Sequence, residues 1–269
     1  MPDPRTISRR SVLLGATVGA SWLALGGVGA TEAISNPRRA ADPALAPNPG
    51  QALKPAIVSR HAWGADESWR GGVFGYAPIR KLVIHHSDGS SADPAGEVRI
   101  AYQYATHHLR LSDIDYNFLI GQDGQVFEGR WARSYPSGVL HNGEDASGRG
   151  VIGAHAKRVN AGSCGICMIG NFDRITPTTA ALDSLVTILS WKAQGHGIDP
   201  LNADPYIDLN GVKRSFNNIA GHNEVGSSRC PGTHLAKLLP TIRREVASRV
   251  GRYPARTSDM RQLATILNP

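Results

Sequence analysis

Cysteine is scarce: three residues in a chain of 269. That excludes a disulfide-stapled scaffold, and a chain of this length buries enough apolar surface to fold without staples. Lysine is scarce as well, six residues against 23 arginines, and acids are too few to balance the bases, leaving a net charge of +7. No self-similarity appears at a period of 20–50 residues, which excludes solenoids and propellers. Only 19% of residues are charged and 41% are hydrophobic, which excludes a wholly disordered chain. Past residue 30 there is no long apolar run, so the body of the chain offers no membrane span. The basic surplus favours a polyanionic partner, and nucleic acid, anionic lipid and anionic cell wall all qualify.

What is present begins with a compartment signal. Arg9-Arg10 stands ahead of a modestly apolar stretch from Val12 to Ala30 that holds five glycines. Paired arginines before such a run mark a twin-arginine export signal. The glycines weaken its insertion into lipid, so residues 1–33 read as a removable signal, with no stable membrane insertion after cleavage; an uncleaved anchor is the alternative. Removing them takes away three arginines and two acids, so the net charge falls by one to +6. Residues 34–53, rich in Ala, Pro and Asn, read as a flexible linker. Residues 54–250 form the working domain and 251–269 a basic tail. Export argues against a nucleic-acid partner and for a wall polymer, with the protein acting in the cell wall, a periplasm-like space or the medium.

Within the body, Arg80 to His86 is a short β-branched run suited to a buried strand. Pro94 opens a helix with apolar positions at Val98, Ile100, Ala101, Tyr104 and Ala105. Tyr116–Ile120 and Gln125–Arg130 form a hairpin around Gln122-Asp123-Gly124. Residues 165–170 read as a central strand. Pro177 opens a second helix with Leu182, Leu185, Val186 and Leu189 on one face. A strand near Asn218–Ala220 and a helix over His234–Val250 follow. The class is α/β (α+β): a mixed central β-sheet flanked by three main helices.

Ten histidines are present, and some are placed suggestively. His85 and His86 end the first strand, and His222 lies eight residues before Cys230. Neutral imidazole and thiolate are zinc ligands, and three of them leave a fourth position for water. Neighbours on a strand face opposite sides, so only one of His85 and His86 would face a metal. A second reading stands beside this one: hydrogen-bonded core histidines and a buried thiol.

Several segments then point to a family. Ser59-Arg60-His61-Ala62-Trp63-Gly64-Ala65 resembles the opening motif of peptidoglycan recognition proteins, and Val83-Ile84-His85-His86-Ser87 their first strand. Asp113 to Gly121, with Phe127-Glu128-Gly129-Arg130, resembles their central hairpin. Gly153-Ala154-His155-Ala156, Ile169-Gly170-Asn171-Phe172, Gly221-His222 and Cys230-Pro231-Gly232 follow in the family order. The resemblance covers about residues 55–245 and extends to phage and bacterial N-acetylmuramoyl-L-alanine amidases of the same fold.

The resemblance implies zinc held by His85, His222 and Cys230, with His86 supporting the sheet or the ligands. It implies a catalytic Tyr116, and a His155 lining the substrate groove that stabilises the tetrahedral intermediate or binds glycan. The expected reaction is hydrolysis of the amide between N-acetylmuramic acid and L-alanine in peptidoglycan, by a monomer. Ser228 is a further catalytic candidate, standing where phage enzymes have lysine and many relatives threonine; it keeps a hydroxyl but no charge. Asp115 replaces a glycine before the tyrosine, and aspartate tolerates left-handed backbone angles. Leu111 lies near where a tryptophan is common. An extra Gly/Ser/Pro-rich stretch, Ser134 to Arg149, precedes the His155 motif as either a groove loop or an inert insertion. Cys164 and Cys167, three apart on a strand, face opposite sides and read as structural thiols. His107-His108 reads as a surface or packing pair. The rival function is a peptidoglycan-binding module without catalysis; relatives that only bind lack the cysteine that Cys230 supplies here.

Overall fold

The computed structural model describes residues 54–72, 75–90, 92–132, 143–208 and 210–251. The expected signal and linker, the tail beyond Gly251 and most of the Ser134–Arg149 stretch lie outside these residues. In chain order the elements are β1 (Ile57–Val58), α1 (Arg60–Trp63), β2 (Tyr76–Ala77), β3 (Lys81–His86) and α2 (Pro94–Gln103). Next come β4 (Phe118–Ile120), β5 (Val126–Glu128), β6 (Gly150–Val151), β7 (Ser163–Met168) and α3 (Thr179–Gly195). The chain closes with β8 (Pro205–Ile207), β9 (Lys213–Ser215), β10 (Ile219–Gly221), α4 (His222–Val225) and α5 (Thr233–Arg249).

Six strands form one mixed sheet in the order β1-β5-β4-β7-β3-β10. The pairs β10–β3, β3–β7, β7–β4 and β5–β1 are parallel and β4–β5 is antiparallel. Every residue of β3 and β7 is buried, which suits central strands covered on both faces. One face carries Leu82, Ile84, Ile166 and Met168 against Leu182, Leu185, Val186 and Leu189 of α3 and Leu235, Leu239 and Ile242 of α5. The other carries Leu119, Phe127, Cys167 and Ile169 against Val98 and Tyr102 of α2 and Trp63. Cys164 joins the first cluster and Cys167 the second, so the two thiols sit on opposite faces.

Local chemistry sets the helix starts. Asp93 accepts the Gly96 N–H at 2.9 Å ahead of Pro94, so α2 begins where proline costs nothing. The second long helix starts at Thr179 rather than Pro177, because the Thr178 hydroxyl caps the Ala181 N–H at 3.1 Å. The inner face of α2 differs from the expected pattern: Ile100 is 51% exposed and Tyr102 takes an inner place beside Val98 and Ala101. That face then follows helical spacing through residues 98, 101, 102 and 105. After Gln103 the helix widens into a π-helical turn, Tyr104–His108, where His107 packs edge-on against Trp69. The hairpin strands are shorter than expected, yet pairing continues past them through Arg130 N–H to the Tyr116 carbonyl at 2.8 Å. Glycine is required beside that bond, since a Cβ on Gly129 would lie 2.4 Å from the Tyr116 carbonyl oxygen.

Candidate metal centre

Alternation along β3 sends Leu82 and Ile84 toward α3 and α5, and so places His85 on the opposite face. Strand β10 runs parallel beside it with Gly221 in register with Ile84, and His222 is the next residue. The turn into α4 is fixed by Glu224, whose Oε2 accepts the Gly221 N–H at 2.8 Å and a bond from Arg243 at 2.5 Å. Cys230 returns to the same place because its carbonyl accepts the Asn223 N–H at 2.7 Å. Its N–H donates to Ser228 Oγ at 3.1 Å, and its Sγ accepts the His86 N–H at 3.3 Å.

One donor atom each from His85, His222 and Cys230 therefore lies within 4.8 Å of the others. The His85 Nδ1 to Cys230 Sγ separation is 3.6 Å. Zinc bonds of about 2.0–2.1 Å to nitrogen and about 2.3 Å to sulfur, set tetrahedrally, place N and S about 3.6 Å apart. The donor set fits that metal. Burial, then the neighbouring histidines, hold His85 well below its ordinary pKa, and burial lowers His222 as well. Both rings are neutral near pH 7 and offer lone pairs. Burial, joined by Asp88, Asp115 and Asp173, pushes the Cys230 thiol up to about 12. A bound dication would offset those negative charges and favour the thiolate.

Around these three stand the other expected site residues. Tyr116, half-buried, places its ring centroid 5.2 Å from that of His85. Asp115 is half-buried with its carbonyl on the Ala154 N–H at 2.9 Å. Positive φ values among described non-glycine residues occur at Asp88, Arg110 and Arg158 and not at Asp115, so no left-handed turn is needed there. His155 does not stand on an open wall: it is 6% exposed, with Nδ1 3.0 Å from His85 Nε2 and Nε2 3.4 Å from Ser163 Oγ. Burial, then the charges of His222 and Arg130, press its pKa down to about 3. His86 turns to the other face, stacks on Phe172 and accepts the Phe172 N–H at 3.3 Å.

The amino-acid pattern of N-acetylmuramoyl-L-alanine amidases matches residues 75–233, a span containing all three candidate ligands. The chain belongs to that amidase family. Among peptidoglycan recognition proteins, it is 30% identical to protein SC2 of Drosophila simulans over 190 residues, 69% of this chain and 85% of that one. It is likewise 30% identical to peptidoglycan recognition protein 1 of Bos indicus over 189 residues, 68% of this chain and 82% of the relative. The crystal structure of Drosophila peptidoglycan recognition protein SD superposes with a TM-score of 0.53 at 26% identity, covering 69% of this chain and 94% of that one. A Drosophila PGRP-LB mutant in complex with tracheal cytotoxin superposes with a TM-score of 0.50 at 26% identity, covering 67% and 90%.

Family membership accounts for the motif order; the neighbours that support the site were not all visible in it. Ser163, beside His155, and the Val159 carbonyl that accepts its hydroxyl at 2.5 Å gave no signal in the sequence. Gly165 did give one, as a glycine inside a buried strand, Ser163–Met168. Ser228, the further catalytic candidate, uses its oxygen to hold the Cys230 turn. Beside that turn a recess of about 430 Å³ opens between Asn223, Arg229, Thr233 and Lys237, with Asp173 on its wall.

Proposed function

We propose that this chain is a zinc-dependent amidase that hydrolyses the bond between N-acetylmuramoyl and L-alanine in peptidoglycan. The observation that carries the reading is the convergence of one atom each from His85, His222 and Cys230. The relatives named for peptidoglycan recognition and the neighbour in complex with tracheal cytotoxin support peptidoglycan as the substrate class.

When bound, zinc would supply a Lewis acid for the lactyl carbonyl and lower the pKa of water. His85, His222 and Cys230 would hold it. The Tyr116 hydroxyl orients the attacking water and donates a hydrogen bond to oxygen charge developing in the transition state. The departing L-alanine amine needs a proton, which the Tyr116 hydroxyl can relay from solvent. Arg229 and Lys237, beside the ligand turn, give the recess a cationic side for carboxylates of the stem peptide. Export by the signal in residues 1–33, a linker over 34–53 and action as a monomeric domain over 54–250 on the cell wall belong to the same proposal.

Purified sacculi treated with the zinc-loaded protein should release stem peptides bearing a free L-alanine amino terminus, read by mass spectrometry, and chelator should abolish release. No release from protein carrying one zinc per chain would overturn the hydrolase reading. The second reading, a binding module, is favoured by the relatives' names as recognition proteins; retained sacculus binding without release would establish it.

A further inference from the structure

Resting on the zinc reading above, we propose that His155 is a positioning residue that dictates which ring nitrogen of His85 is free for the metal. Ser163 Oγ lies 2.5 Å from the Val159 carbonyl oxygen, which can only accept, so the single hydroxyl proton of Ser163 is committed there. Toward His155 Nε2, 3.4 Å away, Ser163 Oγ therefore acts as acceptor, and that nitrogen carries the ring's proton. A neutral imidazole has one N–H, so His155 Nδ1 presents a lone pair. It faces His85 Nε2 at 3.0 Å, which must then be the protonated nitrogen of His85. His85 Nδ1 is left with a lone pair, and it is the nitrogen 3.6 Å from Cys230 Sγ.

The five groups thus form a hydrogen-bond line of one direction. The Cys230 thiol donates to His85, His85 to His155, His155 to Ser163, and Ser163 to a backbone carbonyl. The seat for the middle ring is made by Gly165, where an added Cβ would lie 2.4 Å from the His155 ring carbons. Zinc uptake would change only the first link: the Cys230 S–H bond breaks, its proton leaves to solvent, and sulfur and His85 Nδ1 both turn to the metal. The rest of the line is already in the state the metal requires. Partners that fix the tautomer of a ligating histidine typically contribute ~10–100-fold to metal affinity.

The test reads tautomer and affinity separately. Long-range 1H–15N NMR on the chelator-treated wild-type protein should show His85 protonated at Nε2 and His155 at Nε2. In His155→Leu the acceptor is gone, so His85 should lose that single tautomer, and zinc affinity measured against a chromophoric chelator should fall ~10–100-fold. His155→Asn, whose Oδ1 overlays the Nδ1 position, should restore both to within a few-fold of wild type. Wild-type His85 protonated at Nδ1 would overturn the proposal without recourse to any variant. So would His155→Leu binding zinc as tightly as wild type, or His155→Asn behaving as poorly as His155→Leu. If the wild type binds no zinc, the hydrolase reading fails while the tautomer measurement still decides the role of His155.

Discussion

Gly165 and Tyr116 occupy opposite ends of the chemistry, and each yields a test on a single side chain. In Gly165→Ala the new methyl meets the His155 ring at 2.4 Å, with a buried strand behind it that cannot retreat. Overpacking of this kind costs roughly 1–3 kcal/mol. The urea midpoint should fall accordingly, with zinc affinity falling alongside; an unchanged midpoint would mean the ring has room to move. Tyr116→Phe removes only a hydroxyl from a ring packed beside His85. Zinc content and KM should hold while kcat falls about 100-fold, the low end for a lost proton-handling group. A parallel loss of zinc would reassign Tyr116 to holding the site. Of these residues, Tyr116 and His155 were nominated by resemblance, but the place of His155 behind His85 was not. Its contact joins residues 70 apart in the chain, and sequence spacing carries no information on that.

At the scale of elements, the hairpin tip and α3 are stitched to each other. The Thr178 hydroxyl caps Ala181 and donates to the Gln122 carbonyl at 2.5 Å, while Ser184 donates to the Gly124 carbonyl at 2.6 Å. Thr178→Ala removes the cap and one stitch together. It should lower stability by about 1–2 kcal/mol in urea unfolding, the upper half of the usual range for a lost cap. A change below 0.5 kcal/mol, the approximate lower bound for caps, would show that the tip holds without it. Helix α3 was legible in the sequence because Leu182, Leu185, Val186 and Leu189 keep helical spacing, and all four are buried. Helix α2 was read less well. Tyr102 displaced Ile100 from the inner face because its hydroxyl reaches the Asp66 carbonyl at 3.0 Å and its ring packs against Trp63 and Trp69. The pairs β2–β6 and β8–β9 went unread, because strands of two or three residues are too short to show an alternating pattern.

At the scale of the whole molecule, neutral buried histidines make the metal-free protein sensitive to acid. His85, His155 and His222 all have folded pKa values below the ordinary 6.5, His155 down to about 3. Below about pH 6.5 the unfolded chain binds protons that the folded chain refuses, so stability falls as pH falls and the His155 contribution is lost by about pH 3. Denaturant midpoints of chelator-treated protein should therefore decline from pH 7 to pH 4, and more shallowly in His155→Asn. A flat profile would show that these rings are not held neutral. Elsewhere the fold hides Lys192, 1% exposed on α3, where Glu144 and the rings of Phe118 and Trp191 receive its charge. Nothing in the α3 sequence marked that lysine as buried, since its acidic partner comes from 48 residues away. The sequence by itself determined the family, the mixed sheet and the identity of the three candidate ligands, because periodicity and short motifs are local properties of the chain. The tertiary structure alone decided which nitrogen of His85 faces Cys230 and that His155 stands behind it. Those are facts about the distance and direction between rings from different elements, and packing fixes them.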